Sequence, residues 1–147
     1  MQIQTEIIIN APTANIWSIL TDLERYSEWN PFIVESHGQI AEGEKLKNTM
    51  RNGEKLMTFT PTVLKVEPGR YFEWLGSLYF RGLFDGKHYF ELVPLSDNQT
   101  KLIHGEEFKG ILVKLILKQI GDQTRDNFVA MNQALKEKAE KIPSSQE

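Results

Sequence analysis

The sequence predicts an α+β fold: a curved antiparallel sheet of about seven strands wrapped on one long carboxy-terminal helix, with two short helices between strands one and two. Three observations carry this reading. Turn signals recur through the middle of the chain, at EGEK (42–45), NGE (52–54), EPGR (67–70), FDGK (84–87) and LSDNQT (95–100), with β-rich segments between them. Near the end, Ile120, Thr124, Phe128, Met131 and Leu135 recur at helical spacing, one apolar stripe opposite a face of Lys and Glu. Near the start, the pattern switches from strand-like to helical and is then cut by an Asn-Pro pair.

Gln2–Ile9 is rich in Ile and Thr, which suits a strand. Asn10 and Thr13 are capping residue types, and Pro12 suits a first helical turn. Ile16, Leu20 and Leu23 follow at helical spacing, with Trp17 on the same side. Asp22–Glu28 reads as a second short helix, with Leu23 and Tyr26 three apart. Pro31 lacks an N–H and forces Asn30 out of the helical region. The helix therefore ends by Asn30, and a strand opens in FIVES. Trp29 and Phe32 flank that stop, either as an aromatic clamp in the core or with one ring facing a ligand.

Further strands are expected in KLKNTM, MTFTPTVLKV, YFEWLGSLYF, KHYFELV and TKLIHGEEF. The last helix is expected over 110–141 and stops at Ile142-Pro143. One domain over 1–142 is expected, with PSSQE (143–147) a disordered tail. A sheet bent round a helix cannot close on it everywhere, so a hollow between them is expected.

A net charge of −3, with no basic face, argues against nucleic acid as a partner. The absence of cysteine excludes disulfides, thiolate nucleophiles and cysteine-bound metals, and agrees with a cytoplasmic location. The apolar runs at Ile7–Ile9 and ILVKLIL (111–117) fall short of the about 20 residues of a membrane span. Neither a signal peptide nor stable membrane insertion is expected.

Strand alternation assigns the inward face. Phe72 and Trp74 point inward, as do Leu46, Asn48 and Met50, His88, Phe90 and Leu92, and Leu102, His104, Glu106 and Phe108. A hairpin through LSDNQT is expected to bring Phe90 near Glu106, and His88 near Phe108. Phe128, Met131 and Leu112 would complete a ligand pocket from the helix side. Arg51 falls outside, and Arg81 and Asp85 lie in a loop, at its surface or at the cavity mouth.

His88, His104 and Glu106 are then polar groups on an apolar concave face, and must be paired, neutralised or hydrated. They are a satisfied internal network, a ligand-orienting set, an acid–base pair of His88 and Glu106, or two histidines and a carboxylate around a metal. Nothing in the spacing demands a metal, so no metal and no cofactor are expected. No nucleophile elbow, phosphate loop or H-E-x-x-H motif occurs. The segment 111–117 is apolar almost all round. It is expected to roof the cavity mouth and to contribute to a homodimer contact.

The order of elements, with IINAPTANIW, YSEWNPF, VLKVEPGRYFEWLG, GLFDGKHYFEL and HGEEFKGIL across 7–135, resembles the SRPBCC or START-like superfamily, also called the Bet v 1-like or helix-grip fold. The nearest branch is that of bacterial polyketide cyclase/dehydrase or lipid-transport-like proteins. The resemblance implies a deep cavity for a hydrophobic small molecule, roofed by the carboxy-terminal helix. It transfers no catalytic motif, because a shared fold does not fix a reaction. The expected function is binding of a hydrophobic or lipid-like small molecule, more a ligand-binding protein than an enzyme. The alternatives are a cyclase or aromatase using His88 and Glu106, and a protein-interaction module.

Overall fold

The computed structural model describes residues 1–78 and 80–142. The expected tail, 143–147, lies outside the described residues. The elements run β1 (Gln2–Ile9), α1 (Thr13–Thr21), a 3-10 helix (Leu23–Glu28), β2 (Ile33–His37), β3 (Lys47–Asn52), β4 (Lys55–Phe59), β5 (Thr62–Glu67), β6 (Tyr71–Ser77), β7 (Asp85–Ser96), β8 (Gln99–Lys109) and α2 (Val113–Glu140). One antiparallel sheet has the order β1-β8-β7-β6-β5, and a second has the order β2-β3-β4.

One strand more than expected arises where MTFTPTVLKV divides. Pro61 cannot donate to a ladder, and the chain changes sheets there: β4 pairs with β3 while β5 pairs with β6. The two sheets remain fastened by the segment before β3. Leu46 N donates to Pro61 O (2.9 Å), Val63 N to Glu44 O (2.8 Å) and Gly43 N to Val63 O (2.8 Å).

Thr13 opens α1, but neither it nor Asn10 caps the helix by its side chain. They fasten it to the β7–β8 hairpin instead. Thr13 Oγ1 lies 2.9 Å from Thr100 Oγ1, and Asn10 Oδ1 accepts from Gln99 Nε2 at 3.0 Å. The second helical segment has 3-10 geometry, and the Tyr26 hydroxyl donates to Leu20 O. Asn30 makes the Asn-Pro stop a built turn. Its Oδ1 accepts from both Phe32 N and Ile33 N at 2.9 Å, satisfying two amides that the interrupted helix leaves free.

α2 crosses the concave side of the larger sheet, burying Phe128, Met131, Leu135 and Ala139. Its polar side chains also guard the edge strand β1. Arg125 Nη1 donates to Gln4 O at 3.2 Å and Lys136 Nζ to Ile8 O at 2.9 Å, so carbonyls open to another strand are occupied. Among the described residues, no helix is long and apolar enough to cross a membrane.

Candidate functional site

β6, β7 and β8 present their alternate side chains to one concave face. Trp74 stands opposite His88, His88 opposite Glu106, and Phe90 opposite His104. The expected hairpin pairing differs by two residues along the strand. β7 runs on to Ser96 and β8 begins at Gln99, so the connection is a two-residue turn with an irregularity at Pro94/Ser96. The inward face is unchanged, because a shift of two preserves the strand period.

A partly open hollow of about 160 Å³ lies between the sheets and the first half of α2. Its wall takes Met50, Arg51 and Asn52 from β3, Met57 and Phe59 from β4, and Trp74 and Gly76 from β6. Phe84, Gly86, Glu106 and Phe108 continue the wall, Phe32 enters from the Asn-Pro turn, and α2 adds Ile116, Ile120, Thr124 and Asn127. The volume is below the few hundred Å³ usual for drug-sized ligands and suits one small aromatic molecule. A wider cleft lined by Lys45, Thr62, Leu64 and Arg81 adjoins it across Met57, Phe59 and Ser77.

Of the residues expected to line a pocket, Trp74, Glu106 and Phe108 do so. Phe72, His88, Phe90, His104, Phe128 and Met131 are each at most 1% exposed and lie in the solid core behind it. Their rings fill the space themselves. His104 is stacked between Phe90 and Phe128, with centroids 4.3 Å away on both sides, and His88 stacks on Trp74 at 5.1 Å. Leu112 is also displaced from the hollow. The helix starts only at Val113, and Leu112 N is held by Leu83 O at 3.0 Å, so Ile116 and Ile120 face the hollow instead. Arg51, expected outside, is exposed but contributes to the rim. Asp85 accepts from Gly82 N and shapes its loop, and Arg81 lies on the adjoining cleft.

The two histidines belong to one hydrogen-bonded chain. Thr5 Oγ1 donates to His104 O (2.9 Å), and Asn132 Nδ2 donates to Thr5 Oγ1 (2.8 Å). Asn132 Oδ1 then faces His104 Nδ1 at 2.8 Å, His104 Nε2 faces His88 Nε2 at 2.7 Å, and His88 Nδ1 lies 3.4 Å from Glu106 Oε1. Burial, and after it the charge of His88, holds the His104 imidazole well below the ordinary histidine range, against the opposing bond to Asn132. Glu106 stands at the end of this chain, joined to His88 by proximity and not by a hydrogen bond, and it reaches the hollow, its side chain 20% exposed.

Asn132 and Gly86 were not singled out from the sequence. Asn132 stands four residues after Phe128, a polar residue within the apolar stripe, and that is a readable signal. Gly86 gives none beyond its place in a turn motif, although the Glu106 carboxylate occupies the volume a side chain there would need. Among the described residues, no group of three or more His, Asp or Glu side chains is placed to hold a metal ion.

A family model described as polyketide cyclase/dehydrase and lipid transport matches residues 1–140. The fold is similar to that of the Zhui aromatase/cyclase of Streptomyces sp. R1128, with a TM-score of 0.79 at 15% identity over 96% of this chain and 94% of that one. It is also similar to a START superfamily protein of Mycobacterium smegmatis, with a TM-score of 0.74 at 19% identity over 97% and 99%. A norcoclaurine synthase of Thalictrum flavum gives 0.73 at 15% identity over 96% and 94%. At these identities the likeness shows the fold alone, the helix-grip arrangement of a sheet curved on a carboxy-terminal helix. No curated protein sequence matches the chain.

Proposed function

We propose, from the premise that this chain belongs to the polyketide cyclase/dehydrase and lipid transport family, that it binds a small hydrophobic molecule in the hollow between sheet and helix. The hollow itself carries the reading. Five aromatic rings line it, Phe32, Phe59, Trp74, Phe84 and Phe108, together with Met50, Met57, Ile116 and Ile120. Apolar surface of this kind left open to water lowers its free energy by taking up an apolar ligand. Few polar groups face it, which suits recognition by shape with one or two oriented contacts. A cytoplasmic location agrees with the cysteine-free composition.

Calorimetric titration with 2-methylnaphthalene tests the reading, with Ile120→Trp as the control that fills the hollow. The parent protein binds the probe and the variant loses it while unfolding at a similar temperature. Equal binding by both places the probe elsewhere and removes the hollow from the function.

A second reading is favoured by one observation. Glu106 stands on the wall with an imidazole directly behind it, an arrangement that can hold or release a proton beside a bound molecule. Turnover of an aromatic or polyketide-like substrate that vanishes in Glu106→Gln would favour a cyclase or aromatase over simple binding.

Next to the hollow, the start of α2 has an exposed apolar rim. Ile111 (82% exposed), Leu115 (59%) and Phe80 (63%) surround the start of α2, and Ile111 N is held to Gly82 O beside Phe80. We assign this rim to contact between two copies of the chain, the usual way in which a soluble protein covers such a surface.

A further inference from the structure

The geometry points to Glu106 as a recognition carboxylate, set against His88 and polarised from behind by Asn132 through His104, that selects apolar aromatic ligands carrying a phenolic or enolic hydroxyl. The inference rests on the hollow being a ligand site and adds the class of ligand.

The polarity follows from counting donors along the chain of side chains. Thr5 Oγ1 spends its proton on His104 O and so accepts from Asn132 Nδ2. The Asn132 amide is thereby oriented, and its Oδ1 is an acceptor aimed at His104 Nδ1. His104 must carry a proton on Nδ1. His104 is neutral, since its buried ring resists a second proton, so its Nε2 is bare and accepts. His88 must then place a proton on Nε2 to meet it. One position remains open, His88 Nδ1, and the group facing it is Glu106.

The chain of side chains thus ends on the Glu106 carboxyl, 3.4 Å from His88 Nδ1 and on the wall of the hollow. A carboxylate there accepts from a ligand hydroxyl, whereas an ether or a carbonyl has no proton to give it. Asn52 adds a further acceptor, for its Oδ1 is buried at the same wall without a partner. The rings around the hollow favour a flat ligand. Gly86 completes the design: a Cβ there would lie 2.0 Å from Glu106 Oε2, so its absence lets the carboxylate lie across β7 within reach of His88. The charged side chains on the hollow are Glu106 and Arg51, with His88 and His104 behind the wall and Lys87 and Glu107 paired to each other on the opposite face of the sheet.

Two measurements test the inference. In the first, calorimetry compares 2-naphthol with 2-methylnaphthalene, molecules of nearly equal size that differ in the hydroxyl. The parent should bind the naphthol about tenfold more tightly, the worth of one charge-assisted hydrogen bond. Glu106→Gln should bring the two affinities within about threefold of each other. Asn132→Leu should reduce the preference in the same way, and Asn132→Asp, which keeps the acceptor, should restore it. Equal binding of the two probes by the parent overturns the inference and leaves the ligand site standing. Binding of neither probe overturns both. In the second, nitrogen-15 NMR of labelled histidine reads the tautomers of the parent protein directly. A proton on His104 Nδ1 and on His88 Nε2 is the expected result. A proton on His104 Nε2 reverses the polarity and refutes the inference, whether or not any variant folds.

Discussion

The Glu106 carboxylate occupies the space that a side chain at Gly86 would fill, its Cδ 2.9 Å from the position of the missing Cβ. Gly86 lies in β7 with ordinary extended backbone, so alanine brings no conformational strain, only the collision. Gly86→Ala should fold with a loss of about 1–2 kcal/mol, and its crystal structure should show Glu106 swung away from His88. An unmoved carboxylate would show that the sheet, not the side chain, yields.

Asn132 is 2% exposed and serves His104 and Thr5 at once. Asn132→Ala strands the His104 Nδ1 proton in the core and should cost about 1–3 kcal/mol. Gln133→Ala, one residue further on the exposed side of the same helix, should stay within about 0.5 kcal/mol. Urea unfolding of both variants measures the difference. Equal costs would contradict the buried network.

The pH dependence of stability has two sides with different origins. Because the His104 ring is held below its ordinary range, the unfolded chain takes up a proton that the folded protein refuses. Stability is therefore whole above about pH 6.5 and falls on the acid side by at most about 1.4 kcal/mol per pH unit. The polar groups that face His104 are His88, Asn132 and Thr5. His37 has the opposite sign: hydrogen bonds first to Glu24 and then to Glu35 raise it. Its contribution is full below its unfolded value and is lost as pH rises through the raised one. Unfolding between about pH 5 and 8.5 in the parent and in His37→Asn separates them. The alkaline loss should vanish in the variant and the acid loss remain, whereas a parent whose stability is flat below about pH 6.5 contradicts the His104 part.

The apolar rim predicts a change in assembly. Ile111→Ser with Leu115→Ser removes two exposed aliphatic side chains without touching the core. Light scattering should show the parent as a dimer and the double variant as a monomer. A parent that is monomeric at high concentration removes the dimer from the account.

Much of the fold was legible because period and punctuation are local. The strand Gln2–Ile9, the stop at Asn30-Pro31 and the stripe from Ile120 to Leu135 each follow from neighbouring residues. The inward faces of β6, β7 and β8 were equally readable. What the sequence hid was depth. Alternation tells that Phe90 and Trp74 share a side, but not that Phe90 is covered by the His104 ring in solid packing while Trp74 borders empty space. That difference depends on where the helix axis crosses the sheet. The division at Pro61 was hidden for a similar reason, since leaving one sheet for another is a tertiary event at a residue that also suits a strand end.

The stack of Trp74 on His88, 5.1 Å between centroids and 19° between planes, has an optical consequence. An imidazolium in contact with an indole quenches its emission by accepting an electron from the excited ring, and a neutral imidazole does so far less. The chain has three tryptophans, at 17, 29 and 74, so replacing Trp17 and Trp29 with phenylalanine leaves one emitter. The charge on His88 then becomes a brightness, read in the intact protein without a label.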